Sequence, residues 1–336
     1  MPYPKIYIDA MLVNWGDRLF QEPLRHARAA RLSHVDIRNA AALVRARVAR
    51  TLGRTPEVMV KITNKAASAQ GLGAVRRHLR YISRNGRIEM EDQNGNRIEG
   101  KDALSDLVTT WKLGGWGIPE TSSRRETFNI LLSMPPGTDR KAVRDAARDF
   151  AALEFGDGRA YVFAAHEDEA HPHVHLSVQV RGPNGRRLNP RHKDLQRWRE
   201  RFAEELREYG VEANATPRRA RGITQRYPKQ AVIHMVARGE TPRYWKPLPT
   251  DAQRDARWAA QGGVFTAWRE MAYAMARSRV REDRLMAVEM AYFVGAMPVQ
   301  QERPVVARNP DNGREQPTWR GPDLDRLDDA TRDVER

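Results

Sequence analysis

The sequence of 336 residues contains no cysteine. That excludes disulfides, thiolate zinc sites and a cysteine nucleophile, leaves any metal to His, Asp or Glu, and suits a reducing cytoplasm. It also lacks any run approaching the roughly 20 apolar residues that span a bilayer, and its start, MPYPKIYIDAMLVNWGDR, does not have the basic-then-apolar order of a secretory signal. The expectation is a cytoplasmic chain without membrane insertion. Acid is scarce relative to base: 43 Asp and Glu stand against 58 Lys and Arg, a formal net charge of +15. Such an excess favours polyanionic partners, nucleic acid first, through counterion release; an arginine-rich codon bias gives the same excess without a partner. No internal repeat is present, and a hydrophobic fraction of 40% can supply a real core.

Periodicity divides the chain. Two helical stretches precede residue 53, the second from Val35 to Thr51 with Ala, Leu and Val at helical spacing, and read as an extension packed beside the main domain. EVMVKIT at 57–63 alternates like a strand, and a helix follows from about Leu72 to Ser83, ended by Asn85-Gly86. Asn94-Gly95 marks a hairpin turn, and a helix carrying Leu104, Leu107, Val108 and Trp111 comes next. FNILLSM, Phe128 to Met134, is a near-continuous apolar strand closed by Pro135-Pro136-Gly137, and 139–155 is helical. Two strands, Arg159 to His166 and His173 to Val180, are joined by the short loop EDEAHP as an antiparallel hairpin, and Leu195 to Tyr209 is an amphipathic helix stopped by Gly210. Beyond Arg226 only helical signals remain, at 264–279 and 281–296, and 301–336 reads as a flexible tail.

Four of the nine histidines fall in HEDEAHPHVHL: His166, His171, His173 and His175. On a strand His173 and His175 point to one face, and the hairpin returns His166 alongside His173, so three imidazoles converge with coordination positions left open for a substrate oxygen or water. The ligand set leaves the divalent metal open: Mg²⁺, Mn²⁺, Zn²⁺ and Ni²⁺ are all candidates, although imidazoles suit Zn, Ni, Cu, Fe and also Mn better than Mg alone. His171, before Pro172, lies in the loop and is not needed as a ligand. Asp168, two residues after His166, either orients an imidazole or accepts a proton.

The segments HLRYISRNGRIEM, FNILLSMPPGTD, HEDEAHPHVHL and ATPRRARGI occur in the order and approximate spacing of the relaxase/mobilisation nuclease family, in the HUH endonuclease superfamily. Over about residues 57–225 the chain resembles the P-type mobilisation relaxases and the endonucleases that nick T-DNA borders. The resemblance implies that His166, His173 and His175 hold the metal, that Tyr81 is the nucleophile, and that Ser133 matches a serine which contacts DNA, unless it only satisfies backbone. A phenol attacks poorly until a base or cation favours its ionised form, and Arg77, Arg80, Arg84 and Arg87 surround Tyr81, able also to grip phosphates. Arg218, Arg219 and Arg221 are further candidate DNA contacts. Some relatives carry a carboxylate on the central strand, where this chain has Asn129; the base is then Asp168, Glu126, or none beyond the metal.

The implied fold is α+β: an HUH-type nuclease domain with a central antiparallel sheet, helices over one face and the metal site near its middle, plus a helical C-terminal region. The implied layout is a helical extension at 1–53, the relaxase domain at 54–225, a helical region at 226–300 and the tail at 301–336. The implied function is strand-specific nicking and rejoining at an origin of transfer through a 5′-phosphotyrosine adduct. Its partners would be single-stranded DNA, relaxosome accessory proteins and the coupling protein of a type IV secretion system, with passage of the adduct to a recipient cell. The competing readings are a replication-initiator or transposase nuclease of the same superfamily, and a metal-stabilised DNA-binding module without catalysis.

Overall fold

A computed structural model describes residues 2–20, 33–64, 71–224, 235, 238–240 and 249–301. The tail expected over 301–336 lies outside the described residues except for Gln301, as does most of 225–248. The chain separates into two compact units, Arg54–Ala215 and the paired segments Met1–Gly53 and Thr216–Arg336.

The first unit is built on six antiparallel strands: β1 Met59–Ile62, β2 Met90–Asp92, β3 Arg97–Ile98, β4 Thr127–Ser133, β5 Tyr161–His166 and β6 His173–Gln179, in the spatial order β1-β4-β6-β5-β2-β3. The hairpins expected from Asn94-Gly95 and from the loop after His166 both form, the first pairing Met90 with Ile98 and the second His166 with His173. Gly95 takes a left-handed φ of 78°, the conformation for which a hairpin turn selects glycine. Among the described residues four helices belong to this unit: α3 Gly71–Ile82, α4 Gly100–Leu113, α5 Arg140–Phe155 and α6 His192–Glu208.

Helices cover the sheet on both sides, where the sequence reading placed them over one. Strands β4 and β5 are buried almost without alternation, which requires partners on each face. On one face Val60, Ile130, Leu132, Phe163, Val174 and Leu176 meet α5 and α6, whose Phe150, Phe155, Trp198 and Phe202 pack edge to face at 5.5–6.1 Å between ring centroids. Each such aromatic, fully removed from water, contributes roughly 1.5–3 kcal/mol. On the other face Val162, Ala164, Met90 and Ile98 meet Leu72, Val75, Leu79 and Ile82 of α3 and Leu104, Leu107, Val108 and Trp111 of α4. The histidines open onto this second face.

The second unit is helical: α1 Lys5–Phe20, α2 His34–Leu52, α7 Asp251–Ala259, α8 Gly262–Ala276, α9 Arg281–Gly295 and α10 Pro298–Gln301. Ser33 caps α2 with a reciprocal Asp36 contact, a capping box. Helices from the two ends of the chain share one apolar core around Leu12, Val48, Trp268, Met271 and Met290. Arg45 of α2 ties them further, reaching Asp9 of α1 at 2.7 Å and Asp283 of α9 at 2.9 Å, so two buried carboxylates share one guanidinium. Among the described residues no helix is long and apolar enough to cross a membrane.

Candidate active site

Alternation along β6 turns Val174 and Leu176 into the core under α5 and α6, and His173 and His175 to the opposite face. His166, the last residue of β5, lies directly across from His173. The three ring centroids are 4.6–5.3 Å apart, and one ligand nitrogen from each lies within 4.8 Å of the others. Hydrogen bonds fix which nitrogens those are. A carbonyl can only accept, so His166 donates its Nε2–H to Ile82 at 2.7 Å and presents Nδ1, whereas His173 donates its Nδ1–H to His171 at 3.0 Å and presents Nε2.

Burial first, then the neighbouring His166 and His173, holds the His175 imidazole down to about 3; burial likewise lowers His166. His166 and His175 are thereby held in the neutral form, whose lone pairs bind metals. Three imidazoles whose ligand nitrogens lie within 4.8 Å of one another fit a divalent cation.

The same burial makes the metal-free protein acid-sensitive. His175 at about 3 and His78, lowered by burial to about 4, stay neutral in the fold while the unfolded chain protonates them at 6.5. Their contribution is fully present above pH 6.5 and is lost as pH falls towards 4, with a slope of up to about 1.4 kcal/mol per pH unit for each. In chelator, urea midpoints of wild type should fall more between pH 7.5 and 5.0 than those of His175→Asn. Equal falls would contradict the assignment.

Tyr81 stands above the triad on the last turn of α3, 53% exposed, its ring 5.6 Å from that of His175 and 6.4 Å from that of His166. The helix ends there because Arg84 and Asn85 take left-handed φ values of 49° and 60° and Gly86 one of 84°. Two non-glycine residues in that region are a local strain of order 1–3 kcal/mol each, held by Asn85 N–H donating to Arg80 at 2.8 Å and Gly86 N–H donating to Ser83 Oγ at 3.0 Å. A side chain at Gly86 would strike the Gly100 backbone at 2.6 Å. The turn delivers Arg84 to the site: its guanidinium lies 5.0 Å over the Tyr81 ring, 3.5 Å from His166 Nδ1, and ion-paired with Asp168.

The other residues singled out from sequence divide plainly. Asp168 is 3.9 Å from His166 Nδ1 and is engaged by Arg84, whose hydrogen bond lowers the carboxyl below its usual range, so it is a weak base. Glu126 does not reach the site. It precedes β4 at the end away from Ser133, whose partner is His173, and seven residues at about 3.3 Å each put it roughly 20 Å away; it accepts instead from Ser122 and Arg187. Asn129 accepts from Thr127 and Ser177. Ser133 faces the histidines but is only 4% exposed and donates to its neighbour Met134. Arg77, one helical turn before Tyr81, shares its face. Arg80 and Arg87 instead line a separate cavity. Arg218, Arg219 and Arg221 lie on a 3₁₀ turn of the helical unit.

Two neighbours went unread in the sequence. His78 stacks at 6.3 Å on Tyr81 and meets His175 at 6.4 Å, its only sequence signal being a place three residues before the tyrosine. Arg140, at the start of α5, donates to the carbonyls of His166 at 3.4 Å and Glu169 at 2.6 Å and so fastens the loop between His166 and His173.

The arrangement is thus an α+β domain whose antiparallel sheet turns three histidines towards an exposed tyrosine. Residues 81–211 match the family model for the MobA/VirD2-like relaxase nuclease domain, and over that stretch the chain resembles a relaxase of the VirD2 kind. Similar proteins are the T-DNA border endonucleases VirD2 of Rhizobium radiobacter, 29% identical over 51% of this chain and 44% of that protein, and of Agrobacterium fabrum (strain C58), 29% identical over 51% and 42%. The chain spans less than half the length of these relatives. A solved structure described as the molecular basis of vancomycin resistance transfer in Staphylococcus aureus overlaps 48% of this chain and 99% of its own, at 15% identity and a TM-score of 0.29; at that level it adds no support.

Proposed function

We propose that the protein nicks and rejoins one DNA strand at an origin of transfer, with Tyr81 as nucleophile. The observation that carries this is the convergence of His166, His173 and His175 within 4.8 Å beneath the exposed Tyr81 ring. The Tyr81 oxygen attacks the scissile phosphorus, the bond from phosphorus to the 3′ oxygen breaks, the 5′ phosphate stays on the tyrosine, and the 3′ oxygen leaves as a hydroxyl with the phenolic proton. No nucleotide cofactor enters, because one phosphodiester replaces another and the step reverses on rejoining.

His166 Nδ1, His173 Nε2 and His175 would hold a divalent cation, Mn²⁺ or Mg²⁺ first and Zn²⁺ or Ni²⁺ as alternatives, which supplies Lewis-acid polarisation of a non-bridging phosphate oxygen. Arg84, fixed by Asp168, offsets charge gathering on the attacking oxygen and the phosphate. Because Asp168 is tied up in that pair and Glu126 is remote, no dedicated carboxylate base serves Tyr81, and the Arg84 guanidinium over its ring favours the ionised phenol. Arg77 grips the strand beside the tyrosine. The relatives' description as T-DNA border endonucleases supports a substrate at a transfer border or origin. In that setting the protein works in the bacterial cytoplasm with relaxosome proteins, and the adduct passes through a type IV coupling protein to a recipient.

The test is incubation of the full chain with single-stranded oligonucleotides tiling the DNA around its own gene, with Mn²⁺ or Mg²⁺. One of them should give a protein–DNA adduct resistant to SDS that EDTA abolishes and added metal restores. DNA binding without an adduct on any oligonucleotide would sink the nuclease reading in favour of a non-catalytic module.

A further inference from the structure

A second cationic feature lies on the other side of the turn that carries Tyr81. A cavity of about 890 Å³ opens between α3 and α4, and Arg76, Arg80, Arg87 and Lys101 line it with no carboxylate among the lining residues. Buried Leu104 and Val108 also line it. Among the described residues the side chains of Arg80, Arg87 and Lys101 form no ion pair, and only Arg76 has a carboxylate, Glu120, near enough to feel it. Cations gathered without counter-charge repel one another, and a polyanion relieves that repulsion. The first turn of α4 borders the cavity and adds the positive end of that helix to the same field.

Place identifies the polyanion. Arg80 is the residue before Tyr81, and Asn85 and Gly86, which also line the cavity, follow Arg84 directly. Neighbours on a helix diverge by about 100°, so Tyr81 and Arg80 look out on different sides of one short segment. A strand leaving the histidines around the end of α3 meets the cavity next. The volume is that of a ligand pocket rather than a single-ion site, and the apolar residues suit a sugar or base edge between phosphates.

We propose that this cavity binds backbone phosphates of the target strand outside the nucleotides held at the histidines. The proposal rests on the reading that the substrate is DNA, and its test is independent of nicking. Full-length protein in chelator is titrated with fluorescein-labelled dT30 by anisotropy between 50 and 300 mM NaCl, using wild type, Arg87→Gln/Lys101→Gln, the charge-preserving Arg87→Lys/Lys101→Arg, and Arg124→Gln/Arg186→Gln, which removes two exposed arginines elsewhere.

The cavity variant should bind dT30 about tenfold more weakly. Its slope of log affinity against log salt should be shallower by about 1.4, two phosphate contacts on a single strand. The charge-preserving pair should match wild type, the distant pair should lose less than threefold, and thermal unfolding should be unchanged in all. Binding of dT30 unchanged in the cavity variant, or weakened equally by the distant pair, overturns the proposal. So does competition by millimolar inorganic phosphate or dTMP that removes the difference between wild type and variant, which would mark a small-anion pocket. A salt-slope change in a protein that forms no adduct on any oligonucleotide would keep the cavity and discard the nuclease reading.

Discussion

Replacing Tyr81 by phenylalanine should remove the covalent adduct altogether, a loss of at least about 1,000-fold in a single-turnover assay, while single-stranded DNA affinity stays within about twofold. The size follows from the chemistry: the variant keeps the ring and loses the oxygen proposed to attack. Collateral damage is small because the ring is 53% exposed at a helix end, where a surface substitution usually changes stability by no more than about 0.5 kcal/mol. The phenylalanine ring can still lie under the Arg84 guanidinium and beside His175. Metal affinity, read by calorimetry, should therefore match wild type. An adduct that survives would move the nucleophile to another residue, and a variant that no longer binds metal would mean the tyrosine supports the triad rather than the reaction.

The second large effect is expected at His175. Alanine there removes one of the three proposed ligands from the centre of the cluster, where the ring centroid lies 4.6, 5.3, 5.6 and 6.4 Å from those of His166, His173, Tyr81 and His78. Loss of a mere outer partner typically costs 10–100-fold in metal affinity, so loss of a ligand should cost about 100-fold or more, with adduct yield at limiting Mn²⁺ falling in step. His171→Ala is the matched control. Its side chain lies in the loop, donating only to the Met134 carbonyl at 3.3 Å, and what His173 uses of this residue is its backbone carbonyl, which alanine retains. His171→Ala should bind metal within about threefold of wild type. A comparable loss in both variants would point to damage to the hairpin rather than to the ligand set.

Most of the nuclease sheet was legible because its signals are local. Asn94-Gly95 marks a turn whatever surrounds it, and the His-x-His spacing assigns both rings to one face through the pleat alone. Coverage of both faces was written in FNILLSM and YVFAAH, which are apolar without alternation, yet period alone does not say which helices supply the cover. What could not be read is what depends on chain closure. The common core of the helices before residue 53 and after 250 is made by contacts more than 200 residues apart, Arg45 to Asp283 among them. Arg84 and Asp168 meet over 84 residues, and nothing in either segment advertises that an arginine will occupy the carboxylate which sequence offers as a base. Glu126 failed for the converse reason: three residues from Asn129 in sequence, it lies towards the far end of an extended strand, and extension turns short sequence distances into long spatial ones.

The pleat of β6 also decides which genetic changes the site can absorb. A point substitution removes one ligand and leaves the others facing the tyrosine. Insertion or deletion of one residue between His173 and the end of the strand reverses every side chain beyond it, so a shift just after His173 would turn His175 in among Phe150, Phe202 and Leu206 and expose a leucine or valine in its place. An imidazole in that interior has no partner to donate to, and the sheet would lose its core together with its chemistry. The loop from Glu167 to Pro172 has no such phase to keep. A change of length is therefore less disruptive to the core in the bend between His166 and His173, while the strand carrying His173 and His175 behaves as a reading frame.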